Sequence, residues 1–301
     1  MPPRHDLPSA KAASERGTAP HGNGSTDPAD TDAGFTDAGH THAGHTDAGY
    51  ADAGYADAGY ADAGYADRHA ADYDRWFGKP GITGATVDTL AALAGPGPVL
   101  ELGIGTGRVA LPLAGRGLEV HGVDASEAMV RRLHAKPDGF RIPVTLGDFA
   151  DVPVSGTYSL VYAAGGTFFE LGDRKAKERC LASVAGHLAP GGAFVVDAHV
   201  PEALAVAAAS GVPETVADCD DHLILCRRVI DASAQTYHSH YLVHEADRTR
   251  HFRVRFHYVS PGELDYMAER AGLRLMQRHG SWSREPYTRH STYHVSVYTH
   301  R

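Results

Sequence analysis

The chain has 301 residues, 43% of them hydrophobic, and a formal net charge of −9 at pH 7. Residues 1–70 hold eleven acidic and four basic side chains and so carry −7 of that charge, which leaves the rest near neutral and without the broad basic face of a nucleic-acid binder. No apolar run approaches the roughly 18 residues of a membrane helix, no apolar signal segment opens the chain, and Cys180, Cys219 and Cys226 are too scattered for a disulfide framework or a zinc site.

Such a chain fits a cytoplasmic, reducing location, with neither membrane nor nucleic acid as partner. Residues 1–30 are rich in Pro, Gly, Ser and Ala. From Thr31 to Tyr65 a five-residue unit repeats seven times, as TDAGF, TDAGH, THAGH, TDAGY and then ADAGY three times, followed by the degenerate ADRHA. A period of five matches neither the strand's 2 nor the helix's roughly 3.6. The glycine in every unit opposes a helix, and little apolar surface offsets the entropy of ordering. These features predict a low-complexity, disordered tail over 1–68 and one folded domain over 69–301. The repeats read either as a linker without a specific role or as a tyrosine-bearing segment for a partner. His40, His42 and His45 have nothing to enclose a metal, and no metal site is expected.

Patterned sequence starts near Asp72. Residues 84–94 have helical apolar spacing, and Pro96-Gly97-Pro98 breaks that helix before a strand over Val99–Leu102. A helix is expected over 109–114, a strand over 118–123, a helix over 126–135, and short strands over 144–146 and 158–162. A helix over 175–188 and a strand over 193–197 follow. Strands alternate with helices, and the strands are apolar on both faces, as in a parallel sheet covered by helices. The pattern then changes to three strands over 222–231, 236–245 and 251–259, a helix over 261–271, and a strand pair over 273–277 and 293–298. The fold class is therefore α/β: a doubly wound, mostly parallel Rossmann-like sheet with an antiparallel strand insert at about 220–260.

Gly103, Gly105 and Gly107 follow the first strand directly and open a helix. A bare GxGxG is weak, but strand, glycine turn and helix together predict a cofactor pocket. A dinucleotide loop spaces its glycines GxGxxG to seat a pyrophosphate. Here the spacing is GxGxG, and Glu101 stands two residues before it. A carboxylate there repels an anion but suits a ligand with sulfonium and ammonium groups, which favours S-adenosylmethionine (SAM) over NAD. Asp124, seventeen residues after Gly107 at the end of the second strand, can accept both ribose hydroxyls; capping the next helix is its other use. Ala125 adjoins it. Met129 can pack on adenine or simply join the core. Asp148, with Phe149, can hold the adenine edge, although a surface turn also uses Gly-Asp.

The runs Val99 to Ala114, Val123 to Met129, Leu146 to Phe149, Tyr162 to Phe169 and Leu188 to Phe194 resemble the successive motifs of class I SAM-dependent methyltransferases. The resemblance covers about 69–200. The C-terminal half is more weakly similar to the small-molecule, sugar N-methyltransferase-like branch. It implies that Tyr73 folds over the methionine end of SAM, that Glu101 and the glycines surround the amino-acid moiety, that Asp124 binds ribose, and that Asp148 and Phe149 contact adenine. It also implies that Ala163 and Gly165 lie where cofactor meets acceptor. The Ala-Ala-Gly-Gly at this place departs from the Asp/Asn-Pro-Pro-Tyr of base methyltransferases and argues against base methylation.

Ligands of doubly wound sheets collect at the C-terminal strand edge, where Gly165 to Phe168, Asp197 and His199 should lie. Alternation places His238, His240, Leu242 and His244 on one face of a strand and Tyr237, Ser239, Tyr241 and Val243 on the other. The histidine-bearing face is either solvated or a wall of the acceptor site. His199, His238 and Tyr241 are the candidates for proton transfer. The expected function is methyl transfer from SAM to a nitrogen or oxygen of a small-molecule acceptor in specialised metabolism. A macromolecular methyltransferase and, more distantly, a NAD-binding oxidoreductase are the alternatives. The oligomeric state stays open, a homodimer among the options.

Overall fold

A computed structural model describes residues 63–78 and 80–301. Most of the segment read as a disordered tail lies outside them. Its last part does not follow the expectation, because Ala63–His69 form a helix, α1. So short a helix is unstable alone. It is held from outside: the Tyr65 ring lies 5.0 Å from Phe252, and Asp67 accepts a hydrogen bond from Ser126 Oγ at 2.5 Å. Helices α2 (Tyr73–Phe77) and α3 (Pro80–Leu93) follow.

The central sheet has seven strands, in the order β10-β11-β5-β4-β1-β2-β3. They are β1 (Val99–Leu102), β2 (Val120–Asp124), β3 (Val144–Leu146), β4 (Tyr158–Ala163), β5 (Leu188–His199), β10 (Leu273–His279) and β11 (Tyr293–His300). The first five run parallel; β11 pairs antiparallel with both β5 and β10. Every residue of β1 and β4 is buried, as expected for strands covered on both faces. Leu100, Leu102, Val161 and Phe194 pack into one apolar layer, while Val99, Leu160, Tyr162 and Val195 pack into the other. Helices α4 (Ala110–Ala114), α5 (Glu127–His134), α6 (Arg174–His187) and α8 (Pro261–Arg270) connect or flank the strands. Ser126 Oγ caps α5 by accepting from Met129 N at 3.1 Å, and Ser260 with Glu263 forms a capping box on α8.

Between β5 and α8 stand α7 (Pro201–Ala209) and a second, wholly antiparallel sheet. Its strands are β6 (Glu214–Cys219), β7 (His222–Asp231), β8 (Thr236–Glu245) and β9 (Thr249–His257). The insert is thus larger than its three legible strands. The burial of β6 does not alternate cleanly, and five of the nine residues of α7 are Ala, so neither carries a strong periodic signal. Tyr237, Val243, Phe252, Val254 and Phe256 turn inward from this sheet and join the core beside Trp76 and Phe168. Among the described residues no helix is long and apolar enough to cross a membrane.

Candidate functional site

The glycine loop starts where β1 ends. Gly103 N and Ile104 N both donate to Val123 O, at 2.8 and 3.0 Å, which ties the loop to the end of β2. Two of its glycines are fixed by crowding. A Cβ on Gly103 would stand 2.4 Å from Thr167 Cγ2, and one on Gly107 would stand 2.3 Å from Leu133 Cδ1. All three have left-handed backbone, with φ of +73°, +54° and +77°, but Gly105 differs in its surroundings, because a Cβ there would meet nothing within 4 Å. Its left-handed backbone faces open space, the geometry for close approach of a ligand.

Three carboxyls gather around this opening. Glu101, in β1, is 4% exposed, and its Oε2 accepts from Tyr162 OH at 2.8 Å. Burial pushes it up to about 8, against the pull of the Tyr162 hydroxyl and the Arg108 guanidinium. Asp124 accepts Gly105 N at 2.6 Å on one oxygen and Ser126 N at 2.8 Å on the other. Burial raises its pKa from the usual aspartate value although both backbone donors oppose the shift. Glu170 is pushed up to about 7, first by burial and then by the charge of Asp124. Such a cluster is poor ground for an anion and good ground for a cation. Arg108, next to the last glycine, supplies the nearby positive charge and donates to Thr83 Oγ1 at 3.2 Å.

Beside the loop is a cavity of about 330 Å³. Its aromatic lining is Tyr65, Tyr73, Trp76, Phe77, Tyr241 and Phe256; Arg108, Gly165, Glu170 and Glu214 add the polar part. Helices α1 and α2 thus meet strands β6, β8 and β9 over the ends of the parallel strands. Trp76 stacks on Phe252 with centroids 5.5 Å apart, and Arg75 reaches Asp221 and Glu245. Burial pushes the Tyr73 hydroxyl up to about 12. The floor is the turn after β4. Gly165 and Gly166 have φ of +83° and +79°, and Asp197 accepts both their N–H groups, at 3.0 and 2.8 Å. The same carboxylate accepts Trp282 Nε1 at 2.7 Å and the Tyr293 hydroxyl, so β5 and β11 lock this turn in place.

The residues singled out by sequence divide accordingly. Glu101, Gly103, Gly105, Gly107, Asp124 and Ala125 form one continuous rim, while Tyr73 and Gly165 line the cavity. Ala163, fully buried, ends β4 two residues before Gly165. Met129 is 3% exposed within α5. Asp148 is exposed and accepts Ala150 N at 2.8 Å, and Phe149 packs against the core beside it. Of the three proton-transfer candidates, Tyr241 alone lines the cavity. His199 faces the Tyr293 ring at 5.4 Å, and burial with the Arg228 charge holds its imidazole below the usual value. His238 does not line the cavity. Strand parity puts it on the face opposite Tyr237 and Tyr241, beside His240 and away from the cavity. Tyr65, Arg108 and Glu170 were not singled out. Tyr65 is hidden in the last repeat, and Glu170 in an apolar run. Arg108 had a signal, its place directly after Gly107.

Comparison with known proteins gives the family and the fold. Residues 99–192 match the family model of the methyltransferase domain. The cypemycin N-terminal methyltransferase of a Streptomyces species is 31% identical over 193 residues, 64% of this chain and 79% of that one. The CcbJ methyltransferase of Streptomyces caelestis has a TM-score of 0.71 at 38% identity, over 81% of this chain and 99% of that one. SAM-bound CalS10 of Micromonospora echinaspora, an amino pentose methyltransferase, has a TM-score of 0.57 at 20% identity, over 77% and 97% of the two chains, and so attests the fold.

Proposed function

Because the chain belongs to the SAM-dependent methyltransferases, we propose that it methylates a nitrogen or oxygen of a small-molecule acceptor in specialised metabolism. The observation that carries this reading is the aromatic cavity beside the glycine loop. Its volume of about 330 Å³ lies within the range of small-molecule sites, roughly 300–1,000 Å³. The chemistry of the relative that acts on the N-terminus of cypemycin agrees with a nitrogen acceptor.

The donor seat follows from the rim. Gly105 lets the backbone approach the cofactor, with Gly103 and Gly107 packing the turn. Each Asp124 oxygen keeps a lone pair for a ribose hydroxyl after accepting its backbone N–H. Asp148 and Phe149 lie at the adenine end, with Ala125 and Met129 between them and the loop. Glu101 and Tyr73 serve the methionine end, where a cation restores the ionised carboxylate that burial disfavours. When bound, SAM supplies a methyl group on a sulfonium. Ala163 and Gly165 carry the backbone where that methyl meets the acceptor, and Tyr241 faces the acceptor from the roof. The chain's contribution is then largely positioning and exclusion of water.

We read residues before Ala63 as a low-complexity tail and the rest as one catalytic domain. The three free cysteines and the near-neutral folded part fit a reducing cytoplasmic setting without a nucleic-acid partner. The test is calorimetry with SAM and S-adenosylhomocysteine, followed by methyl-labelled SAM and mass spectrometry on small-molecule extracts. Saturable binding with label in a small product is expected. Label confined to protein or RNA would refute the small-molecule reading.

A further inference from the structure

The cavity contains a carboxyl that the donor seat does not use. Glu170 ends the 3-10 turn Thr167–Glu170, which begins directly after the Gly165–Gly166 turn. Phe168 and Phe169, both 0% exposed, anchor this turn in the core. Glu170 is left lining the cavity. No hydrogen bond or ion pair reaches its carboxyl from the described residues, whereas Glu214 across the cavity is paired with Arg228. Glu170 acts electrostatically on the hydroxyls of Tyr65 on α1, Tyr73 on α2 and Tyr237 on β8, and Asp124 of β2 acts on it. It is therefore a central group, held by backbone, lined by aromatic rings and, although Arg108 shares the cavity, paired with no cation among the described residues.

We infer that the acceptor is an amine that enters as its ammonium ion, and that Glu170 is the carboxylate that pairs with it and takes its proton. This rests on the methyl-transfer reading above. A half-buried carboxylate, unpaired among the described residues, beside Tyr65, Tyr73, Trp76, Phe77, Tyr241 and Phe256 is the constellation that binds an organic cation, by charge and by ring faces together. A neutral alcohol would leave the carboxylate uncompensated. An ammonium nitrogen has no lone pair for attack until a proton leaves it. Glu170, pushed up to about 7 by burial and by Asp124, is basic enough to share that proton, and is far too weak a base for an alcohol. The N–H proton passes to a Glu170 oxygen. The freed lone pair then forms the N–C bond to the methyl carbon while the C–S bond breaks, its electrons going to sulfur. S-adenosylhomocysteine and a methylated ammonium result, and Glu170 returns its proton to solvent. The product is again a cation, so the carboxylate fits both ends of the reaction.

The test uses the full chain loaded with S-adenosylhomocysteine and two probes of nearly equal shape. Choline is cationic, and 3,3-dimethyl-1-butanol replaces its ammonium with neutral carbon. Wild type should bind choline at least about tenfold more tightly, and the preference should grow as pH rises through about 7, where Glu170 ionises. In Glu170→Gln the preference should vanish, while S-adenosylhomocysteine affinity stays within about threefold and the melting temperature at pH 8 does not fall. Glu170→Asp should restore part of the preference. Equal binding of the two probes by wild type, or an unaltered preference in Glu170→Gln, would overturn the inference. So would a large loss of S-adenosylhomocysteine affinity in Glu170→Gln, which would move Glu170 into the donor seat. Wild type that fails to bind S-adenosylhomocysteine at all would instead strike the methyl-transfer reading itself.

Discussion

Replacing Asp124 with Asn tests the donor seat with little change in volume. In the structure each oxygen of Asp124 already accepts one backbone N–H, from Gly105 at 2.6 Å and Ser126 at 2.8 Å. A carboxylate has about four lone-pair sites, so two remain for the ribose hydroxyls. The Asn amide keeps one acceptor oxygen and turns its NH2 group toward one of the two N–H donors. One hydroxyl bond to a charged acceptor is lost, about 1.5–3 kcal/mol, together with one loop bond of about 1 kcal/mol. The total, about 2.5–4 kcal/mol, corresponds to roughly 70- to 900-fold in affinity. Burial already opposes the Asp124 charge, and the amide escapes that cost, so the expectation sits near the lower end, about 100-fold. Calorimetry with S-adenosylhomocysteine measures it, and a thermal melt of the free protein checks the fold. An affinity change under about threefold would refute the ribose assignment, because no other role of Asp124 reads out on the ligand alone.

The two kinds of glycine should separate by assay. Gly105→Ala places a methyl in open space at φ +54°, costing roughly 1 kcal/mol of backbone strain but well over tenfold in cofactor affinity; Gly103→Ala, with its Cβ 2.4 Å from Thr167, should lower the melting temperature more. The reverse order would mean that Gly105 does not face the ligand. Glu101, at about 8 when free and ionised against a bound cation, should release up to one proton on binding below that pH. SAM affinity should then fall by up to about tenfold per unit from pH 7.5 to 6.5, and Glu101→Gln should flatten the slope; a flat wild-type profile would remove the charge role. Truncation to begin at Ala56 should leave the melt unchanged, whereas truncation to begin at Ala71 removes the Tyr65–Phe252 and Asp67–Ser126 contacts and should lower it. Identical melts would show that α1 contributes nothing.

What the sequence made legible was whatever the backbone enforces locally. The glycine loop, the acid after β2 and the burial of the parallel strands are each set within a few residues, so motif and periodicity suffice. Strand parity likewise separated Tyr241 from His238, and only the choice of the active face was left to tertiary structure. Tyr65 was hidden for a physical reason. Its repeat has no helical propensity of its own, and the helix exists because Phe252 and Ser126 receive it. Glu170 was hidden in the opposite way. The apolar run before it reads as plain core, which Phe168 and Phe169 indeed are, and nothing local says that the next side chain lines a cavity. Asp197 looked like one polar residue at a strand end, and its four donors come from two distant segments.

The site is therefore divided by the way it is built. The donor seat is made from consecutive strand ends of the parallel sheet, which share one hydrogen-bonded frame from Gly103 to Asp124. The roof is assembled from α1, α2 and the second sheet, and what holds it is Trp76 on Phe252 together with ion pairs such as Arg75–Asp221 and Arg250–Asp72. Ion pairs near the surface contribute about 0–1 kcal/mol each, so the aromatic packing carries most of that attachment. The same rings therefore both fasten the roof and line the cavity. A substitution that reshapes the acceptor space must also alter the fastening, and the donor seat is tied to the same roof where Asp67 of α1 accepts from Ser126 Oγ and Asp74 of α2 accepts from Thr106 Oγ1 in the glycine loop. Glu170 belongs to neither attachment. It hangs from the backbone of the floor turn with its neighbouring phenylalanines fixed in the core, so its carboxyl can be changed without loosening roof or seat. That independence is what allows a single side chain to set the charge of the acceptor while the surrounding aromatics set its shape.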